Sequence, residues 1–183
     1  MKAWLWYGFG DGRLETVPDP SPADGQLLVK VKVVQPSISE ILTANGLPGY
    51  ATERARALFK ERVPRQFFGH EYSGEVVAVG KGVRRFKAGD RVASVHPTVP
   101  CGVCKNCRAG LSQQCTSTVL VGYELPGAFA EYLAVPPAAV EHIPPEISWQ
   151  EGAAIQPLEA CVPPAAMARA KYSGTVVVLG QGV

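Results

Sequence analysis

Between Leu27 and Val34 the chain reads LLVKVKVV, and the two lysines, Lys30 and Lys32, fall on one face of the period-two alternation that marks a half-buried strand. Three further apolar runs have strand length: EVVAV at Glu75–Val79, followed by the turn Gly80-Lys81-Gly82; RVASV at Arg91–Val95, preceded by Gly89-Asp90; and FAEYLAV at Phe129–Val135. Strands this short and closely spaced, punctuated by 19 Gly and 16 Pro, predict a compact, mostly β domain that curls toward a barrel.

Helical periodicity occurs twice. In Ala51–Arg62, Ala55, Leu58 and Phe59 recur at i, i+3 and i+4, with the stem of Arg62 at i+7, which predicts a short amphipathic surface helix. Ser148–Lys171 opens with Ser148 and Glu151 in capping-box spacing, and Pro163-Pro164 is expected to break or kink it. Beyond it, Thr175–Leu179 is an apolar β-run leading into Gly180-Gln181-Gly182. That is the opening of a dinucleotide fingerprint, which needs a helix and a third glycine to be complete, so the pattern reads as the first strand of a truncated Rossmann domain.

Composition narrows the class. The chain has 183 residues, 46% of them apolar, and 18 Lys+Arg scattered among 16 Asp+Glu, which supplies no clustered basic face for nucleic acid. The start, MKAWLWYGFGDG, carries one lysine and an aromatic run too soon interrupted by glycine for a signal peptide. No run reaches the roughly 18 apolar residues of a membrane span. The expected location is the cytoplasm, where closely spaced cysteines are metal ligands before they are disulfides.

Cys101, Cys104, Cys107 and Cys115 have the spacing C-x2-C-x2-C-x7-C, with Gly102 and Gly110 available for tight turns. Four thiolates so spaced can converge tetrahedrally on one zinc ion; an iron–sulfur cluster and free thiols are the other readings. A four-sulfur sphere leaves no open position for water or substrate, so such a lobe holds structure together and does not react.

The cysteine lobe, FFGHEYSGEVVAVGKGVRRFKAGDRV at Phe67–Val92, GAFAEYLAVP at Gly127–Pro136 and the terminal GTVVVLGQGV together resemble the zinc-dependent alcohol dehydrogenases of the medium-chain dehydrogenase/reductase superfamily. The resemblance implies a GroES-like partly open barrel over residues 1–147 with its zinc lobe at 97–121, a linking helix at 148–171, and the start of a dinucleotide-binding domain at 172–183. It implies a structural zinc on the four cysteines, and hydride transfer between an alcohol or carbonyl substrate and NAD or NADP, with Gly180 and Gly182 toward the cofactor. A homo-oligomer without nucleic-acid or membrane partners is expected.

In such enzymes a second, catalytic zinc stabilises the alkoxide, and a hydroxyl relays the proton. The resemblance assigns that metal His70 and Glu71 of Gly69-His70-Glu71, with Glu71 alternatively paired to an arginine. Two other ligand places depart from the family pattern. Where the family has Cys-Gly-Ser/Thr-Asp, PSISE places Ser37 at the cysteine, Ser39 at the relay hydroxyl and Glu40 at the aspartate. Where it has Cys, or Glu before Pro-Leu, the chain has Gln156-Pro157-Leu158. A neutral hydroxyl and a neutral amide are poor substitutes for charged ligands. Glu159, on the same helix face as Gln156, could complete an oxygen-rich site with His70, Glu71 and Glu40. Alternatively the metal is gone and Ser39 and His70 carry the proton.

Cys161 reads as a small buried hydrophobe. The arginine-rich stretch Ala51–Gln66 reads either as a solvated helix face or as an anion-attracting substrate mouth. The expectation is thus an NAD(P)-dependent, alcohol dehydrogenase-like oxidoreductase with catalytic candidates Ser39, Glu40, His70 and Glu71, of which this chain alone, with only the start of a cofactor domain, is expected to be inactive. A zinc-binding interaction module resembling a co-chaperone barrel, and an oxidoreductase lacking the catalytic zinc, are the alternatives.

Overall fold

A computed structural model of the chain describes residues 1–167 and positions 175, 177 and 179. The expectations for 168–174 and for Gly180 and Gly182 lie outside the described residues. Nine strands and five α-helices are described: β1 (Lys2–Gly8), β2 (Asp11–Thr16), β3 (Leu27–Gln35), α1 (Ile38–Ala44), α2 (Tyr50–Glu61), β4 (Glu71–Val79), β5 (Arg91–Ser94), β6 (Thr98–Val99), α3 (Lys105–Arg108), β7 (Val119–Leu120), β8 (Tyr132–Val135), β9 (Val140–His142), α4 (Trp149–Ala153) and α5 (Ile155–Met167).

The frame is an open five-stranded antiparallel sheet in the order β8-β3-β4-β5-β9, flanked by the hairpins β1-β2 and β6-β7. Leu27 and Val29 of β3 are fully buried while Lys30 and Lys32 face solvent, as the alternation predicts. Their buried face joins Tyr72, Val76, Val92, Leu133 and Val135 in one core. Each fully buried aliphatic side chain there contributes about 1.5–3 kcal/mol.

A second core lies under α2. Ala55 and Leu58 pack with Phe67, Phe68 and Tyr123, and Trp6, Phe9 and Phe59 border them. Phe59 stacks on Phe67 at 4.9 Å and Trp6 meets Phe68 edge-on at 4.8 Å, favourable aromatic geometries that anchor the chain immediately before Gly69 and His70.

Several elements differ from expectation. The β1-β2 hairpin and α1 are additional to the elements that the sequence pattern predicts. Strand β4 starts at Glu71 rather than Glu75, since its partner β3 pairs with it as far as Gln35 opposite Glu71. The helix predicted from Ser148 is two helices meeting at Ala154, and Pro163 and Pro164 lie inside α5 rather than ending it. The Ser148–Glu151 capping box is present as predicted.

Candidate functional site

The first centre begins with a helix cap. Ser37 caps α1: its Oγ accepts the Glu40 backbone N–H at 3.2 Å, and Glu40 Oε2 accepts the Ser37 backbone N–H at 3.2 Å. This reciprocal box folds the Glu40 carboxylate back over the start of the helix, where it is 2% exposed. Its other oxygen reaches across to the turn before β4. Phe68 and Gly69 both adopt left-handed backbone (φ 65° and 83°), which points the Gly69 and His70 N–H groups at Glu40 Oε1, 2.6 and 3.2 Å away. A Cβ at Gly69 would lie 2.6 Å from the Ala128 nitrogen, so only glycine fits this turn.

The same Glu40 Oε1 meets His70 Nδ1 at 2.6 Å. The other ring nitrogen, Nε2, lies 3.8 Å from Glu71 Oε1, and Glu71 Oε2 accepts a 2.6 Å hydrogen bond from Gln35 Nε2. Burial alone would push the His70 pKa down; the hydrogen bond and charge of Glu40 and the charge of Glu71 outweigh it and leave it raised above 6.5. Burial likewise raises Glu71, against the lowering pull of His70 and Gln35. Ser39 Oγ lies on the exposed rim, 2.9 Å from Ser37 Oγ.

The structure therefore brings Ser37, Ser39, Glu40, His70 and Glu71 together. Glu71 pairs with Gln35 and faces His70, not an arginine. Glu159 goes elsewhere: its Oε1 is 3.6 Å from His96 Nδ1, and with His96, Thr98, Ser112, Gln113 and Gln156 it lines a cavity of about 550 Å³ between α5 and the cysteine lobe. Cys161 is exposed rather than buried, its thiol donating to the Pro157 carbonyl at 3.3 Å. Arg54 grips both oxygens of Glu124 at 2.7 Å, and Arg65 donates to the Leu58 and Tyr123 carbonyls, so these cations tie α2 to its surroundings.

The second centre is the lobe. Gly102 and Gly110 have positive φ (73° and 78°), as their place in tight turns requires. The four cysteines are unpaired, and their Sγ atoms all lie within 4.8 Å of one another, with Cys101–Cys115 at 3.5 Å and Cys104–Cys115 at 3.9 Å. A tetrahedron of thiolates about 2.3 Å from a zinc ion has sulfurs about 3.8 Å apart, which these distances bracket. Backbone N–H groups point at the sulfurs: Cys107 at Cys104, Cys101 and Ser117 at Cys115. The Cys107 N–H and its neighbours pull the Cys104 thiol down to about 6, and the Cys101 N–H lowers Cys115. Among the described residues this is the one group of three or more Cys, His, Asp or Glu side chains able to hold a metal ion.

Residues 23–145 match the alcohol dehydrogenase GroES-like domain. Sorbitol dehydrogenase of Bacillus subtilis is 32% identical over the whole chain and 49% of its own length; L-threonine 3-dehydrogenase of Burkholderia mallei is 54% identical over 80 residues, 44% of this chain and 23% of that protein. Among solved structures, galactitol-1-phosphate dehydrogenase of Escherichia coli superposes with a TM-score of 0.75 at 28% identity, covering 92% of this chain and 45% of that one. An alcohol dehydrogenase of E. coli CFT073 complexed with NADH superposes at 0.77 and 30%, covering 92% and 46%. The chain spans about half the length of the sorbitol dehydrogenase it matches, and none of its described helices is long and apolar enough to cross a membrane. With its open sheet, four-thiol lobe and GroES-like match, the chain belongs to the zinc-dependent alcohol dehydrogenase family of the medium-chain dehydrogenase/reductases.

Proposed function

We propose that this chain is the substrate-handling part of an oxidoreductase that moves hydride between an alcohol or carbonyl carbon and NAD or NADP. The observation that carries the reading is the family match over residues 23–145, which spans both centres. The NADH bound in a relative 30% identical supports a nicotinamide partner. Cys101, Cys104, Cys107 and Cys115 hold one structural zinc: their sulfur separations suit a single tetrahedral ion and leave too little room for a multi-iron cluster. Ser39, Glu40, His70 and Glu71 form the reacting end, with a part-buried acid–base pair and the exposed Ser39 hydroxyl.

The test is nicotinamide absorbance with the purified full-length protein that carries this chain, NAD and NADP, and a panel of polyols, vicinal diols, sugar-alcohol phosphates and L-threonine, the 183-residue chain alone serving as the control expected to be inactive. Saturable reduction of either nucleotide is expected with at least one alcohol. A protein that folds and retains zinc yet turns over none of these would favour the structural-module alternative.

A further inference from the structure

A catalytic zinc needs about three protein donors beside its open position. Around His70 the candidate donors are largely committed. His70 Nδ1 is taken by Glu40, Ser37 Oγ by the α1 cap and Ser39, and one oxygen of Glu71 by Gln35. Gln156 is neutral and lines a cavity with His96 and Glu159, and among the described residues no third His, Cys, Asp or Glu joins His70 and Glu71 in a group able to hold a metal ion. What remains is His70 Nε2 and one Glu71 oxygen, 3.8 Å apart. A carboxylate behind Nδ1 is also what a metal-bound histidine carries, so the Glu40–His70 pair alone does not discriminate; the count of donors does. Two donors do not make the site, and the residues present do not fit a catalytic zinc.

Resting on the hydride-transfer reading above, we propose that His70 carries a proton where its relatives would place a metal: Glu40, pinned by the helix cap, fixes the ring through Nδ1, and Nε2 exchanges a proton with the substrate oxygen. Glu40 is the positioning residue and His70 the catalytic one. In the reducing direction the carbonyl carbon would receive hydride, with its electron pair, from a bound reduced nicotinamide, the reductant this reading names. As the carbonyl π pair moves onto oxygen, that oxygen takes the Nε2 proton, leaving the alcohol and a neutral imidazole that solvent reprotonates. Oxidation reverses each transfer. General acid–base help of this kind contributes roughly 10²–10⁴-fold.

Zinc per chain, measured by mass spectrometry on wild type, His70→Gln and Cys104→Ser, tests the donor count. One, one and none are expected. A second zinc in wild type that His70→Gln removes would overturn the proposal, and because Cys104→Ser can unfold the lobe, the His70→Gln arm is decisive by itself. Ring-nitrogen NMR then reads the Glu40 contact: the His70 Nδ1 resonance should carry the signature of a hydrogen bond to a carboxylate, should move in Glu40→Gln, and should recover in part in Glu40→Asp. A ring indifferent to Glu40→Gln would overturn the positioning role. Neither readout needs turnover. Turnover with a zinc on His70 refutes this inference alone, whereas absence of turnover in the full-length protein refutes the hydride reading beneath it.

Discussion

Replacing Glu40 by alanine should destabilise the domain more than any single polar substitution on its surface. The side chain is 2% exposed and accepts from the backbone N–H groups of Ser37, Gly69 and His70 while facing the His70 ring. Its loss strands three donors and an imidazole. Hydrogen bonds to charged groups contribute about 1.5–3 kcal/mol each, and removing one partner of a buried charged pair costs about 3–5 kcal/mol. Water entering the vacated space offsets part of the sum, so the total expected is about 3–5 kcal/mol, of which the helix cap accounts for about 1. That is a large share of a typical 5–15 kcal/mol, and lowers the melting temperature by about 6–20 °C for a chain of this length. Urea denaturation followed by far-ultraviolet circular dichroism measures it, with Ser37→Ala, which removes the capping hydroxyl and its contact with Ser39 but leaves Glu40 in place, as the reference. A Glu40→Ala midpoint equal to that of Ser37→Ala would refute the reasoning, because the turn and the imidazole would then contribute nothing.

Three other substitutions or probes follow from the same geometry. Burial pushes the Glu124 carboxyl up, but the paired grip of Arg54 and the Leu120 N–H outweigh it and leave it below 4.5. A lowered pKa stabilises fully above the unfolded value and is lost as pH falls through the folded one, so the urea-midpoint gap between wild type and Glu124→Gln should narrow as the pH is taken below 4.5; a constant gap would contradict the pairing. Gly127→Ala places a Cβ 1.5 Å from the Phe68 carbonyl oxygen, a backbone clash at the turn that presents His70; a loss of about 1–3 kcal/mol or more is expected, and an unchanged melting temperature would count against the turn. In zinc-loaded protein a thiol reagent should titrate Cys161 alone, rising to all five cysteines when a chelator is added, and five reactive thiols before chelation would exclude a metal-bound lobe.

The alternation of Leu27–Val34 and the spacing of the four cysteines were legible because each is local: one needs only the period of a strand, the other only the reach of a short loop. The β1-β2 hairpin was not, because Ala3, Trp4, Leu5, Trp6 and Tyr7 put apolar groups on both faces and hide the period; it is secured by distant partners, Trp4 N–H to the Phe129 carbonyl and Trp6 N–H to the Arg65 carbonyl. Ser37-x-x-Glu40 has capping-box spacing in plain sequence, but the same two positions also align with the family's metal-ligand motif, so spacing alone does not say which role they take. The Glu40–His70 contact joins residues far apart in the chain and depends on the left-handed Phe68-Gly69 turn, which no local pattern reveals. Glu159 shares a helix face with Gln156 as expected, but where that face points is set by how α5 docks, and it docks against His96.

X-ray absorption at the zinc edge tests the account most directly, since it reads every zinc in the protein and the atoms bound to it. A single shell of four sulfurs at about 2.3 Å, with no nitrogen or oxygen neighbours, is what a closed cysteine lobe and a metal-free His70 predict. A mixed shell with nitrogen or oxygen at about 2.0–2.1 Å, lost in His70→Gln, would contradict it.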